Sequence, residues 1–273
     1  MIILGLVIIG LICGSFVNAL VWRLYEQSKA KNRKTKKEFS ILSGRSMCPK
    51  CKHRLFWPDL IPIFSWLSLR GHCRYCQGSI SWQYPIVELI TALLFTFSYI
   101  FWPKPLHGIV IFQFIIWCLL LIGFVALAVY DLRWYLLPNR IVYPLFVLAL
   151  LEILAPLATQ ASIISITIAA LVGLAIGGGL FYLLFVISNG SWIGGGDVRL
   201  GGLLGLIVGG PFYAMLMLII ASGLGTFISI PLLLAGKANR KSHIPFGPML
   251  IFGGIIAELF GGSIFHWSLG LFS

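Results

Sequence analysis

Charge is what this sequence has least of. Only 10% of its 273 residues are charged, while 59% are hydrophobic. A soluble domain carries roughly 25% charged residues, so that class is excluded. A mean hydropathy of +0.98 points instead to an integral membrane protein. Regular alternation of polar and apolar residues is also lacking, which argues against a β-barrel. No basic residue precedes the first apolar run, and several follow it. That is the reverse of a cleavable signal peptide, so the run is expected to stay as a helix with its N-terminus outside. No G-x-G-x-x-G loop marks a cofactor site of the soluble type.

What is present is a series of apolar runs near the ~20 residues that cross a bilayer as a helix. Eight are expected, at about 1–22, 85–102, 106–130, 140–156, 161–187, 198–210, 211–235 and 245–265. The sixth is short, rising only about 20 Å as a helix. It is expected to be tilted, broken or partly re-entrant, and seven crossings remain an alternative. The fold class is therefore all-α, a polytopic transmembrane helical bundle of about eight spans.

Orientation follows from the basic residues. Lys and Arg total 20, and of these only Lys104 falls on one side of the expected topology. The stretch from Arg23 to Arg74 is the most basic part; Arg133, Arg140, Arg199, Lys237, Arg240 and Lys241 complete the same side. That side should be cytoplasmic, with both termini outside. The formal net charge of +12 is then mostly a cytoplasmic skirt facing anionic membrane lipids. Nucleic acid is not an expected partner, because the basic stretch is tied to the membrane. The segment from Glu26 to Arg45 matches no motif, and its charge and lack of periodicity read as a solvated insert. Its like charge disfavours binding of a basic peptide.

Aspartate is scarce as well. The chain has Asp59, Asp131 and Asp197 and no others. Asp59 lies in the large loop after the first span, where a charge costs little. Asp131 follows "LIGFVALAVY" at the end of the third span, and Asp197 follows three glycines at the start of the sixth. The topology puts both near one membrane face. Two carboxylates a few ångströms apart cannot both ionise cheaply, so one takes a proton from water while the other donates one to a carbonyl. Such a pair can hydrolyse a peptide bond without metal or covalent nucleophile, and it titrates as a unit. Gly194, Gly195 and Gly196 would let an extended substrate lie close beside it. Irregular backbone is tolerated at that depth where it lines a wet cavity. An aspartate near Arg133 or Arg199 is also what a plain ion pair looks like, and paired intramembrane carboxylates also serve ion or proton transport.

Cys48, Cys51, Cys73 and Cys76 form C-x2-C-x21-C-x2-C. Two such knuckles in a reducing compartment are a zinc signature, with disulfides or free thiols as the alternatives. Four thiolates leave no open coordination position, so the zinc is expected to be structural. His53 and His72 flank the knuckles and could replace a Cys as ligand, but read first as ordinary surface residues. Cys13 and Cys118 lie in apolar spans as small packing residues. Glu88, at the start of the second span, is either a polar bridge between loop and bundle or part of a further site. Glu152 is expected near the outer face, reaching headgroups. Glu258 falls in mid-span and needs a partner or a proton. Asn18 can hydrogen-bond across helices. "GLAIGGGL" (173–180) and "FGG" (252–254) read as close helix-packing faces.

Taken with their order, these segments resemble the prepilin peptidases, the type IV leader peptidases of the GxGD class of membrane aspartic proteases. "GGGD" (194–197) continuing as "DVRLGG", "DLRWYLLPN" (131–139), "IPFGPML" (244–250), "GSFVNALVWR" (14–23) and the loop "CPKCKHRLFWPDLIPIFSWLSLRGHCRYC" (48–76) carry the resemblance over most of the chain. It implies a polytopic helical bundle in the bacterial inner membrane with its active site at the cytoplasmic face. It implies cleavage of the short basic leader of type IV prepilins or pseudopilins after a glycine, with Asp131 and Asp197 as the catalytic pair. Members with the cysteine loop are associated with methylation of the new N-terminus using S-adenosylmethionine, and the further site to which Glu88 is a candidate is then the methyl-transfer site. The expected division is 1–102, methyltransferase-associated, and 103–273, the peptidase. An ion transporter with Asp131 and Asp197 as ligands is a rival reading, but no inverted repeat is visible and it leaves the cysteine loop without a role. A membrane-anchored zinc module leaves the aspartates without one. Intramembrane cleavage of helices shares the "YD" and G-x-G-D chemistry, but the cysteine loop and the P-F-G-P context favour leader peptidase.

Overall fold

The computed structural model describes residues 1–32, 39–41, 44–155, 162–236 and 244–270, without the side chain of Leu232. Much of the basic insert (33–38, 42–43) and the last basic loop (237–243) lie outside the described residues. The chain forms two compact units, Met1–Ile100 and Phe101–Ser273.

In the first unit α1 (Ile2–Lys29) packs along α3 (Gln83–Ile100), with a loop and the short α2 (Phe64–Ser68) between them in sequence. The two long helices meet at glycines. A Cβ on Gly10 or Gly14 would sit 2.5 Å from the Cα of Ala92 or Glu88. Close approach is how apolar helices associate where water supplies no driving force between them. Asn18 then bonds across the seam as expected, donating from Nδ2 to the Tyr84 carbonyl (3.1 Å) and accepting from Gln83 Nε2 (3.3 Å). α1 runs to Lys29, past the expected end near 22, because its last turns pack on the loop: Trp22 meets Phe39 edge-on, and Gln27 donates to the Phe39 carbonyl at 2.6 Å.

The second unit holds α4 (Ile109–Trp134), α5 (Asn139–Leu154), α6 (Ile163–Ile187), α7 (Gly195–Val208), α8 (Pro211–Leu234) and α9 (Gly247–Gly270). α4 is its axis: Trp117, Leu120, Leu121, Phe124 and Leu127 are fully buried. A helix apolar on every side is what such a position requires. α6 and α7 share a glycine seam, where Gly173, Gly177 and Gly178 face Gly205, Gly201 and Gly202 backbone to backbone. Gly253 likewise presses on the Met217 carbonyl. Both "GLAIGGGL" and "FGG" are packing faces, as read from the sequence.

Every one of the eight expected apolar runs is a helix, and no strand occurs among the described residues. Among the described residues, six helices are long and apolar enough to cross a membrane: α1, α3, α4, α6, α8 and α9. α5 has 16 residues and α7 has 14, rising about 24 and 21 Å. α7 stops where Gly209 and Gly210 take positive φ (62° and 67°) and Pro211 opens α8. The Gly210 N–H is satisfied by the Ala169 carbonyl at 2.6 Å.

Glu152 does not reach out to headgroups. It is 7% exposed and lines an open hollow, about 680 Å3 including its mouth, with Gln113, Lys104 and Glu258. The polar company that Glu258 needs is thus partly another carboxyl, with the Lys104 ammonium to offset the charge.

Candidate active site and metal centre

Asp131 lies in the last turn of α4 and is 6% exposed. Its Oδ2 accepts the Gly247 N–H at 3.0 Å. Gly247 opens α9 within the P-F-G-P stretch, and a Cβ there would lie 2.7 Å from the same oxygen, so a side chain at this position would displace the carboxylate. Phe246, beside it, packs edge-on against Phe181 of α6, with ring centroids 5.7 Å apart.

Asp197 lies in the first turn of α7, whose N-cap is Gly194. Its N–H donates to the Gly194 carbonyl at 3.0 Å, and its carboxylate folds back on the Gly194 backbone N–H. An acidic side chain in the first turn suits the unsatisfied N–H groups and the positive end of the helix dipole. The carboxylates of Asp197 and Asp131 are close enough to interact electrostatically.

The segment between the two aspartates completes the arrangement. Tyr135 ends α4 in the left-handed conformation (φ 55°), and its N–H returns to the Asp131 carbonyl at 2.8 Å. Leu137 then packs on Gly196, where a Cβ would fall 3.1 Å from its own. Asn139 accepts a hydrogen bond from Arg199 Nη1, and Arg199 Nε donates to the Gly195 carbonyl at 2.9 Å. Neither arginine raised by the sequence is ion-paired to these aspartates among the described residues. Arg199 is committed to Asn139 and Gly195, and Arg133 lies over the Trp134 ring. Gly195 and Gly196 are in helical turn, and only Gly194 is extended (φ −76°, ψ 147°). The smallness of Gly196 admits the close approach of Leu137.

In the first unit, the sulfurs of Cys48, Cys51, Cys73 and Cys76 lie within 4.8 Å of one another. Tetrahedral zinc with bonds of about 2.3 Å needs sulfurs about 3.8 Å apart. Cys48 and Cys76 are already at 4.0 Å, so the donor set fits after a small contraction. The two knuckles repeat each other. The Cys48 N–H donates to His53 and the Lys52 N–H to Cys48, both at 2.9 Å; the Cys73 N–H donates to Gly78 and the Gln77 N–H to Cys73, again both at 2.9 Å. Lys52 and Gln77 both take positive φ, 58° and 53°. Isolated bridges Met47–Arg54 and His72–Ser79 close the turns. Burial pushes the Cys73 thiol up, but the N–H groups of Cys76 and Tyr75 and the neighbouring thiols outweigh it and bring it to about 7. His53 stacks on Tyr75, with centroids 3.7 Å apart, and His72 Nδ1 lies 2.8 Å from the Arg70 carbonyl; neither belongs to the cluster.

Sequence reasoning missed the work of Asp59. Its side chain is 5% exposed. It accepts hydrogen bonds from Arg74 Nε (2.8 Å), Tyr75 Oη (3.0 Å) and the Phe56 N–H (3.3 Å). Burial pushes its carboxyl up, yet these bonds together hold it below the usual value. It ties the turn at Trp57–Leu60 to the second knuckle. Gly247, Leu137, Asn139 and Arg199 were legible only as members of motifs, not by their contacts.

The family model described as "Bacterial Peptidase A24 N-terminal domain" matches residues 8–102, and the one described as "Type IV leader peptidase family" matches residues 118–230. The "Prepilin leader peptidase/N-methyltransferase" of Aeromonas hydrophila is 33% identical over 95% of this chain and 91% of its own. The protein of the same description from Bacillus subtilis (strain 168) is 32% identical over 95% and 94%. The "Type 4 prepilin-like proteins leader peptide-processing enzyme" of Escherichia coli O78:H11 (strain H10407 / ETEC) is 32% identical over 90% and 89%. No solved structure matches the chain. With likeness of this extent along nearly its whole length, the chain belongs to the type IV leader peptidase family, as a membrane peptidase of the prepilin leader peptidase/N-methyltransferase kind.

Proposed function

We propose that this protein removes the short basic leader of type IV prepilins or pseudopilins, with Asp131 and Asp197 as the hydrolytic pair. The observation that carries this is one cluster: buried Asp131 anchored by the Gly247 N–H, and half-buried Asp197 within its electrostatic reach. One carboxylate accepts a proton from the attacking water, and the other, protonated, donates to the scissile carbonyl oxygen. Roles belong to the pair, so neither member is assigned one alone. Gly194, Gly195 and Gly196 leave room for the extended peptide, whose cut falls after a glycine and before the apolar stretch of the substrate. The positive-inside count puts this end of the bundle at the cytoplasmic face of the inner membrane, where a basic leader lies.

The second activity, methylation of the new N-terminus from S-adenosylmethionine, belongs in this reading to residues 1–102, and hydrolysis to 103–273. Cys48, Cys51, Cys73 and Cys76 hold a structural zinc that supplies a folding restraint and no reactive position. Purified protein with a prepilin-like substrate tests both activities by mass spectrometry. Wild type should lose the leader mass and, with S-adenosylmethionine, gain a methyl. Asp131→Asn and Asp197→Asn should leave the substrate intact, and full cleavage by either removes the pair from the mechanism.

A further inference from the structure

The first unit contains a cleft that hydrolysis does not use. It is about 950 Å3 including its open mouth, and it lies between α1, α3 and the metal loop. Its walls are mostly apolar. Trp22, Trp66 and Tyr84 supply the aromatic surface, and the acidic Glu88 lines it as well. A largely apolar hollow with a few convergent polar groups is the usual form of a small-molecule site.

Two of these residues are held firmly. The Trp66 indole donates from Nε1 to the Ile80 carbonyl at 3.3 Å and packs on Trp82 with centroids 4.1 Å apart. It also lies against Gly71, whose φ is +71° and where a Cβ would meet the ring at 2.9 Å. Glu88 is 6% exposed, and its Oε2 accepts the Ile63 N–H at 2.7 Å. Ile63 is β-branched yet has φ 60°, a strained backbone state that persists only where its surroundings impose it. The loop is therefore clamped to Glu88 rather than draped over it.

We infer that this cleft is the binding site for an adenosyl sulfonium, the methyl donor of the proposed second activity. The inference rests on that reading and goes beyond it by locating the ligand. An adenine ring presents a flat face to indole surfaces. A sulfonium is a cation without N–H or O–H donors, so it is recognised by aromatic faces and a nearby acidic side chain, which this cleft places together. Arg23 and Arg74 line the cleft too, but Arg23 donates to the Ser40 and Ile41 carbonyls and Arg74 is paired with Asp59, so among the described residues Glu88 is the acidic group without a cationic partner there. Asp59 also lines the cleft, but its bonds to Arg74, Tyr75 and Phe56 leave it a structural part.

The test uses full-length protein in detergent and S-adenosylmethionine, which carries the sulfonium, as the probe, with affinity read by calorimetry. Wild type should bind, and Trp66→Ala and Glu88→Gln should each weaken binding at least tenfold while retaining one metal per chain. A photoreactive adenosyl analogue on wild type, independent of any variant's folding, should label peptides within residues 1–100. Binding that both variants leave unchanged, or label confined to 101–273, overturns the location while the methyl-transfer reading stands. No binding by wild type overturns both.

Discussion

At the scale of single residues, the candidate active site is held by contacts that tolerate little. The Gly247 N–H fixes one carboxylate oxygen of Asp131, and the space a methyl group would need is that oxygen's own. Gly247→Ala should therefore displace the carboxylate rather than unfold the helix. Catalysis by positioned groups loses about 10²-fold for a misplacement near 1 Å, so leader cleavage should fall by about that factor with an unchanged melting temperature. A melting temperature that falls with the rate would make Gly247 a packing residue only. Asp59 belongs to the same scale in the other unit. Removing a buried acceptor of charged hydrogen bonds costs about 1.5–3 kcal/mol. Because Arg74 is half-exposed, the low end applies to that bond. Asp59→Ala should quicken metal loss to a chelator, and unchanged release kinetics would show that the knuckles stand without it.

At the scale of elements, glycine has two different meanings within one helix. Gly177 of α6 faces the backbone of Gly201 and Gly205, whereas a Cβ on Gly179 meets nothing within 4 Å. Gly177→Ala forces α6 and α7 apart, and overpacking of this kind costs about 1–3 kcal/mol. Gly179→Ala should be neutral or stabilising by up to about 1 kcal/mol, since alanine is the better helix former. Thermal unfolding of the two variants in one detergent reads the contrast, and equal melting temperatures would remove the seam. Because α7 carries Asp197 in its first turn, Gly177→Ala should also lower leader cleavage. The spans themselves were legible because each is a continuous apolar run. The ends of α1 and α7 were less so: α1 is prolonged by Phe39 from a distant turn, and α7 is cut short by Gly209 and Gly210.

At the scale of the whole molecule, the metal loop and the helical bundle rest on different physics. The loop has few buried side chains of its own, with Cys48 and Cys73 among them, so a bound metal is expected to supply much of its folding free energy. Metal analysis should find one zinc per chain, and Cys48→Ser with Cys73→Ser should abolish it. Chelation should then expose residues 44–82 to protease while the apolar helices stay resistant. Equal resistance of the loop with and without metal would contradict this.

The sequence by itself determined the class, the helical runs, the paired cysteine knuckles and the family. These depend on composition, spacing and order, which are properties of the chain read along its length. The structure alone decided which groups meet. Asp131 and Asp197 are 66 positions apart, and their approach depends on the Tyr135 turn, the fit of Leu137 on Gly196 and the Asn139–Arg199 bond. Glu88 gained a partner in Ile63, Glu152 a hollow shared with Glu258, and Asp59 a place in the loop. None of these can be read from spacing, because each contact is made by backbone or side chains brought together by the packing of other elements.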